Sequence, residues 1–298
     1  MKTTMNTIAH KLALILSCSM VTQVALAEQE GDFAYSISND VVTITKYTGK
    51  EAQISFPATI KGKKVTTIGA GRDRPVLGGW EAEGEPGGNG QKPIVAKVVV
   101  PEGVLAIDTH AFANCDDLVE ISLPKSLTSI GMGAFFPCSK LKGISIPSGV
   151  SRIEESTFKY CTSLVSVVLP ANLVEIKAGA FQHCSNLTSI SFPLKLERIG
   201  SQAFQSTGIT KVTIPASVTE IGFNAFYGCK ALASATFEGD VPTSYGKGTS
   251  PNGNTLDDYQ NVFLDGSPEF TIRYIKGKSG FDSPKWNGQK MEVVKPSK

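Results

Sequence analysis

The chain has 298 residues, 41% of them apolar and 19% charged, a balance that excludes an intrinsically disordered protein. The length allows about two ordinary domains and a large core. Twenty-nine basic against 27 acidic residues leave a net charge of +2, with no excess that points to nucleic acid or an acidic partner.

The chain opens with a leader. Lys2 and Lys11 supply a positive region, Leu12 to Val21 is mostly apolar, and Ala25-Leu26-Ala27 places small residues where a signal peptidase cuts. About ten apolar residues are too few to span a bilayer, which takes roughly 20. Residues 1–27 therefore read as a secretory signal peptide cleaved after Ala27. A rival reading makes Ile15-Leu16-Ser17-Cys18 a lipobox with Cys18 lipidated, but the residues after Cys18 are apolar where a polar tether is expected. Cleavage removes two lysines and no acids, which leaves 27 basic and 27 acidic residues. It also removes Cys18 and His10. No later stretch is long and apolar enough for a transmembrane helix.

Next come Phe33, Tyr35 and Ile37 in alternation, the turn pair Asn39-Asp40, and Val42 and Ile44. This pattern predicts a hairpin, and residues 28–53 are expected to form an N-terminal β cap.

From there the sequence repeats. Ala111-Phe112, Ala134-Phe135, Thr157-Phe158, Ala180-Phe181, Ala203-Phe204 and Ala225-Phe226 recur with Phe spacings of 23, 23, 23, 23 and 22. Three residues after each Phe stands Cys115, Cys138, Cys161, Cys184, then Thr207, then Cys229. An alternating apolar stretch ending in Pro comes next, as in Ile121-Ser122-Leu123-Pro124 and Ile190-Ser191-Phe192-Pro193. A Val/Leu-x-x-Ile pair closes each unit, as in Leu173 and Ile176. Alternation in a β-branched run predicts a half-buried strand, and Pro, lacking an N–H, ends it. One such unit cannot bury its own apolar face, whereas units stacked about 4.8 Å apart bury a continuous core. The expected fold is a mainly β, right-handed leucine-rich-repeat solenoid of about 23-residue units with short turns or 3-10 segments. Worn copies at Ile54-Ser55-Phe56-Pro57 and at Phe263, Ile272 and Tyr274 extend it over residues 54–274. Residues 275–298, with Phe281, Pro284 and Trp286, are expected to close the far end.

The unit L-x-x-I-x-I-P-x-x-[VL]-x-x-I-G-x-x-A-F-x-x-C resembles the BspA-like leucine-rich repeat of bacterial and protist surface proteins. The opening Val42 to Gly49 and Ile60 to Gly69, and the close Gly277 to Phe281 with Trp286 and Gly288, resemble that family's ends. The resemblance implies a secreted or surface adhesion protein that binds host, matrix or other-cell proteins. It carries over no site residues, because the repeated positions are core positions.

The search for chemistry finds none. One Cys per turn makes a line, not four ligands around a point, so no metal is expected. Stacked inward rotamers do not suit a disulfide, so the column reads as buried free thiols, Cys229 included. His110 and His183 fall in variable columns, read as exposed turn positions. Gly69-Ala70-Gly71 has Arg74 where a dinucleotide fingerprint needs Gly, and Gly246-Lys247 lacks the upstream Gly of a phosphate loop. No enzyme activity and no cofactor are expected.

Two insertions break the repeat. Residues 72–92 hold Arg72, Arg74 and Trp80; residues 239–260 hold Tyr245 and Tyr259. Insertions map to loops, and Arg, Trp and Tyr anchor interfaces, so these five are the candidate partner-binding residues. The alternative is two tolerated loops. The outward strand positions, among them Ser122, Ser145, Val168, Ser191 and Thr213, form a smooth surface with little charge. The expected function is a non-catalytic binding or adhesion protein, secreted or at the cell surface, with the periplasm as the other compartment. Its partner would be a protein or glycan. A structural envelope spacer is the alternative, and a hydrolase on the insertion loops a third reading.

Overall fold

The computed structural model describes residues 28–69, 75–77, 94–249, 255–257, 262–281 and 289–295. They form a mainly β solenoid with no helix. Each turn of the solenoid has two strand faces joined by tight corners.

The first face holds the strands that end at Pro. Gln53–Ser55, Lys97–Val99 and Glu120–Ser122 pair in parallel. Gly143–Ser145 pairs with Ser166–Val168. Lys211–Ile214, Ser234–Phe237, Thr271–Ile275 and Lys290–Val294 complete it. In the regular part of the stack registers step by 23 residues, as in Ile144 opposite Val167 and Val212 opposite Ala235, whereas the steps at the two ends differ. The strand expected at Ile190 to Phe192 does not form. It lies between the strands Ser166–Val168 and Lys211–Ile214 and makes a ladder with neither. Thr210 still bonds back to the Thr188 carbonyl, and half-buried Phe192 leans on the Phe204 ring instead.

The second face holds the two-residue strands of the Val/Leu-x-x-Ile motif, from Ala106–Ile107 to Arg198–Ile199, again in parallel. The corner between the faces is built by the Pro. Its carbonyl accepts from the residue three further on, as Pro147 does from Val150 and Pro170 from Leu173. That bond explains why the second motif begins at a fixed offset.

The Phe corner closes the turn. Phe112, Phe135, Phe158, Phe181, Phe204, Phe226 and Phe263 are buried and stack one on the next, with centroids 5.2 to 5.5 Å apart. A third backbone ladder runs here: Phe135 N–H reaches the Thr157 carbonyl and Phe158 N–H the Ala180 carbonyl. Two residues before Phe, His110, Gly133, Ser156, Gly179, Gln202 and Asn224 all have φ near +60°. Two residues after it, so do Asn114, Tyr160, His183, Ser206, Gly228 and Asp265. These left-handed residues turn the chain sharply at each side of the Phe.

The five cysteines are free and buried, as the column predicts. Cys138, Cys161, Cys184 and Cys229 each point Sγ at the Phe carbonyl of the preceding turn, at 3.1 to 3.2 Å. Thr207 departs from the pattern: its hydroxyl donates to the Phe204 carbonyl of its own turn and sits 3.2 Å from Cys229 Sγ.

The N-terminal hairpin forms. Phe33–Ser38 pairs antiparallel with Val41–Tyr47, which joins the second face through Lys63–Ile68. Pro75 to Leu77, inside the first insertion, add an unexpected rung: Tyr47 N–H reaches Val76 O, and Val76 N–H reaches Ala111 O. Val76 thus occupies the Phe-corner column without the Ala-Phe signal. Near the other end, Ser244–Thr249 and Thr255–Asp257 pair antiparallel, and the first of them extends the second face from Glu220–Gly222. This part of the second insertion is sheet, not loop.

Candidate interaction surface

A regular stack offers three surfaces: the two strand faces and the Phe corner. On the first face the alternation that buries Ile121, Ile144 and Val212 turns Ser122, Ser145 and Thr213 outward. Val165 and Val168 are 52% and 57% exposed there. The result is a flat ladder of small side chains with an apolar centre. Lys97 and Glu120 pair at one end at 2.9 Å, and Arg273 and Glu292 at the other at 2.9 Å.

The second face carries charge in a pattern the sequence reading missed. Glu175 lies between Arg152, at 3.3 Å, and Arg198, at 3.2 Å. Lys177 pairs with Glu154 at 2.6 Å. All these partners are 23 residues apart. Scanning for opposite charges at the repeat period would have found them, since that offset is the helix i, i+4 rule transposed to a solenoid.

The Phe corner holds an aromatic group that was missed too. Tyr160 stacks on His183, with centroids 4.5 Å apart and planes 10° apart. Phe136 lies 6.0 Å from Tyr160 on the other side. Lys159 Nζ sits 6.0 Å from the Phe136 centroid and 5.7 Å from that of Tyr160, within cation–π range. His183 is half-buried, not exposed as its variable column suggested. Burial, with Lys159 beside it, holds its imidazole below the usual histidine pKa.

Of the five candidate partner residues, Arg72, Arg74, Trp80 and Tyr259 lie outside the described residues. Tyr245 lies in the strand Ser244–Thr249, opposite Ile221. The thiols are poor nucleophiles and poor ligands. Burial raises Cys138 and Cys184 well above the usual thiol range and Cys161 to about 12. Among the described residues no three His, Cys, Asp or Glu side chains cluster to hold a metal ion, and no helix is long and apolar enough to cross a membrane.

The Phe-Cys turn and its 23-residue step decide the family. Residues 92–205 match, in six copies, the family model described as BspA type leucine rich repeat region. Residues 92–205 are a BspA-type leucine-rich-repeat region within a solenoid that continues on both sides of it. Among solved structures it is similar to a leucine rich cell surface protein from Faecalibacterium prausnitzii, at 24% identity and a TM-score of 0.52. That match covers 84% of this chain and 70% of the other. A leucine-rich repeat protein from Bacteroides ovatus is 21% identical with a TM-score of 0.42, over 90% of this chain and 76% of the other. These likenesses are of fold. No curated protein matches the chain.

Proposed function

We propose that this solenoid is a non-catalytic binding protein, secreted or held at the cell surface, whose first strand face receives a protein or glycan partner. The observation that carries the reading is the exposed centre of that face. Val165 and Val168 are both more than half exposed on a rigid ladder of small side chains. Burying the exposed half of either under a partner would be worth about 1 kcal/mol. The relative from Faecalibacterium prausnitzii, described as a cell surface protein, supports the same compartment. The leader, cleaved after Ala27, would deliver a mature chain divided into a cap at residues 28–53, a solenoid at 54–274 and a closing tail at 275–298. Arg72, Arg74 and Trp80, and Tyr245 and Tyr259, would add contacts from the two insertions at the ends of the stack.

The test is a partner screen with the purified mature chain against matrix proteins, neighbouring cells and glycan arrays. Two further samples lack residues 72–92 or carry Val168→Glu. Specific capture that Val168→Glu weakens at unchanged melting temperature is the expected result. Failure to capture anything, or capture that the substitution leaves intact, would remove the first face from the reading.

A further inference from the structure

The left-handed position two residues after the Phe recurs on the turns of the stack except that of Phe135, where Pro137 stands. Across the turns it holds Asn114, Tyr160, His183, Ser206, Gly228 and Asp265. Gly and Asn adopt that conformation at low cost, whereas a bulky ring there costs more. Tyr160, at φ +59°, is the costly choice, and His183, at φ +62°, stands on the adjacent turn. The fold does not need them, since the other turns close without a ring at that position. Their shared φ explains the geometry: two side chains leaving identical corners stack at 4.5 Å with nearly parallel planes.

Stacking along the solenoid axis sets which parts of the rings meet solvent. Ring faces are turned to each other, so the rings meet solvent by their edges. Tyr160 is 41% exposed. Beside them the Lys159 ammonium is held over Phe136 and Tyr160 and pairs with no carboxylate among the described residues. The facing groups on the following turn, Gln205 and Ser206, are uncharged. This leaves one unneutralised cation between hydrogen-bonding ring edges.

We propose that Lys159, Tyr160 and His183 form a subsite for the acidic unit of a carboxylate- or sulfate-bearing polysaccharide. The anion would sit against the Lys159 ammonium, with sugar hydroxyls on the Tyr160 and His183 edges. An extended peptide fits less well, because its usual mode adds main-chain hydrogen bonds to a free edge. Here those groups are consumed: Tyr160 N–H reaches the Gln182 carbonyl and His183 N–H the Gln205 carbonyl, each at 2.8 Å. What remains is side-chain recognition of charge and hydroxyls. The site is on the Phe corner and does not depend on the first face receiving a partner.

The site also predicts a pH response. In the free protein, burial and Lys159 disfavour the imidazolium of His183. A bound anion neutralises the Lys159 field and favours it. Binding therefore takes up a proton, and affinity rises as the pH falls through the histidine range.

The experiment measures binding of the mature chain to polygalacturonate, dextran sulfate, neutral dextran and poly-glutamate at pH 5.5 and 7.5. Binding to one or both acidic polysaccharides, several-fold tighter at pH 5.5, is expected, with little binding to dextran or poly-glutamate. Which of the two binds distinguishes a carboxylate from a sulfate. Lys159→Gln should weaken it about tenfold, the effect of one lost charge-assisted contact. Lys159→Arg should restore most of it, and His183→Gln should flatten the pH response. In the unmodified chain, NMR titration should show the His183 pKa rising when the polysaccharide is added, a readout that needs no variant. Equal binding of poly-glutamate or dextran, no binding of either acidic polysaccharide, or a His183 titration that does not move would overturn the proposal. Val168→Glu should leave polysaccharide binding unchanged, which separates this site from the first face.

Discussion

Cys138 points its thiol at the carbonyl of Phe112, 3.2 Å away and one turn back. The same contact recurs from Cys161 to Phe135, from Cys184 to Phe158 and from Cys229 to Phe204. Each Phe carbonyl at the corner is buried, so the thiol is both a small core group and its hydrogen-bond donor. That dual demand explains why the column accepts Thr207 but no larger residue. Cys161→Ala should lose the donor and open a small void, costing about 1–3 kcal/mol. Cys161→Thr should cost less, because the column already admits a buried hydroxyl at Thr207, which finds an acceptor in the Phe204 carbonyl of its own turn at 3.0 Å. Urea unfolding of the two variants beside the parent checks the order. An equal cost for both would show that the column is packing alone.

The same burial links stability to pH. Cys138, Cys161, Cys184 and Cys229 are held as neutral thiols, their pKa values raised first by burial and for Cys161 to about 12. In the unfolded chain they titrate near 8.5. Their stabilising contribution is complete below that pH and declines as the pH rises toward the folded value. By pH 10 Cys161 should have withdrawn about 2 kcal/mol, and the other three thiols act in the same direction. Urea midpoints at pH 7, 8.5 and 10 should fall, and the fall should be shallower in Cys161→Thr by one thiol's share. Parallel declines in the two proteins would refute the assignment.

The buried part of this fold was readable because stacking forces every turn to answer the same demand. Phe112 to Phe226, the thiol column and the Pro corners repeat for that reason, and their spacing shows before any coordinates. The surface lies under no such constraint. Tyr160 and His183 sit in a column that also admits Asn, Ser, Gly and Asp, so the pair stands out only when the register is laid on the sequence. Glu175 between Arg152 and Arg198 was hidden in the same way. Val76 could not be found at all, since it fills a corner position without the residues that mark the others. Ile190 to Phe192 failed in the opposite sense: the local pattern is a strand, yet no ladder forms there although Ser166–Val168 and Lys211–Ile214 are strands on either side.

Glu175 offers a test of the inter-turn charges. It is largely buried between two arginines that are themselves partly exposed, so its two contacts share one carboxylate. Glu175→Gln should cost about 1 kcal/mol at low salt and less at 1 M salt, where screening weakens both contacts. Glu175→Lys, which sets three like charges in a row, should cost more. Thermal unfolding of the three proteins at the two salt concentrations gives the comparison. A cost that does not change with salt would mean that Glu175 acts by packing and not by charge.

The hairpin in the second insertion should protect the end of the second face. Ser244 pairs with Glu220 and Tyr245 with Ile221, so Ser244–Thr249 covers a strand that would otherwise end the sheet with unpaired backbone groups. An uncovered edge recruits another strand. Replacing residues 244–257 with a short Gly-Ser connection would expose Glu220–Gly222 while leaving the Phe stack from Phe112 to Phe226 unaltered in sequence. The shortened chain should therefore keep a cooperative transition but associate, with a larger mass in light scattering as concentration rises. The parent at the same concentrations should show no such increase. If the shortened chain behaves as the parent does, the hairpin does not cap the edge, and the Tyr245 insertion is free to serve a partner instead.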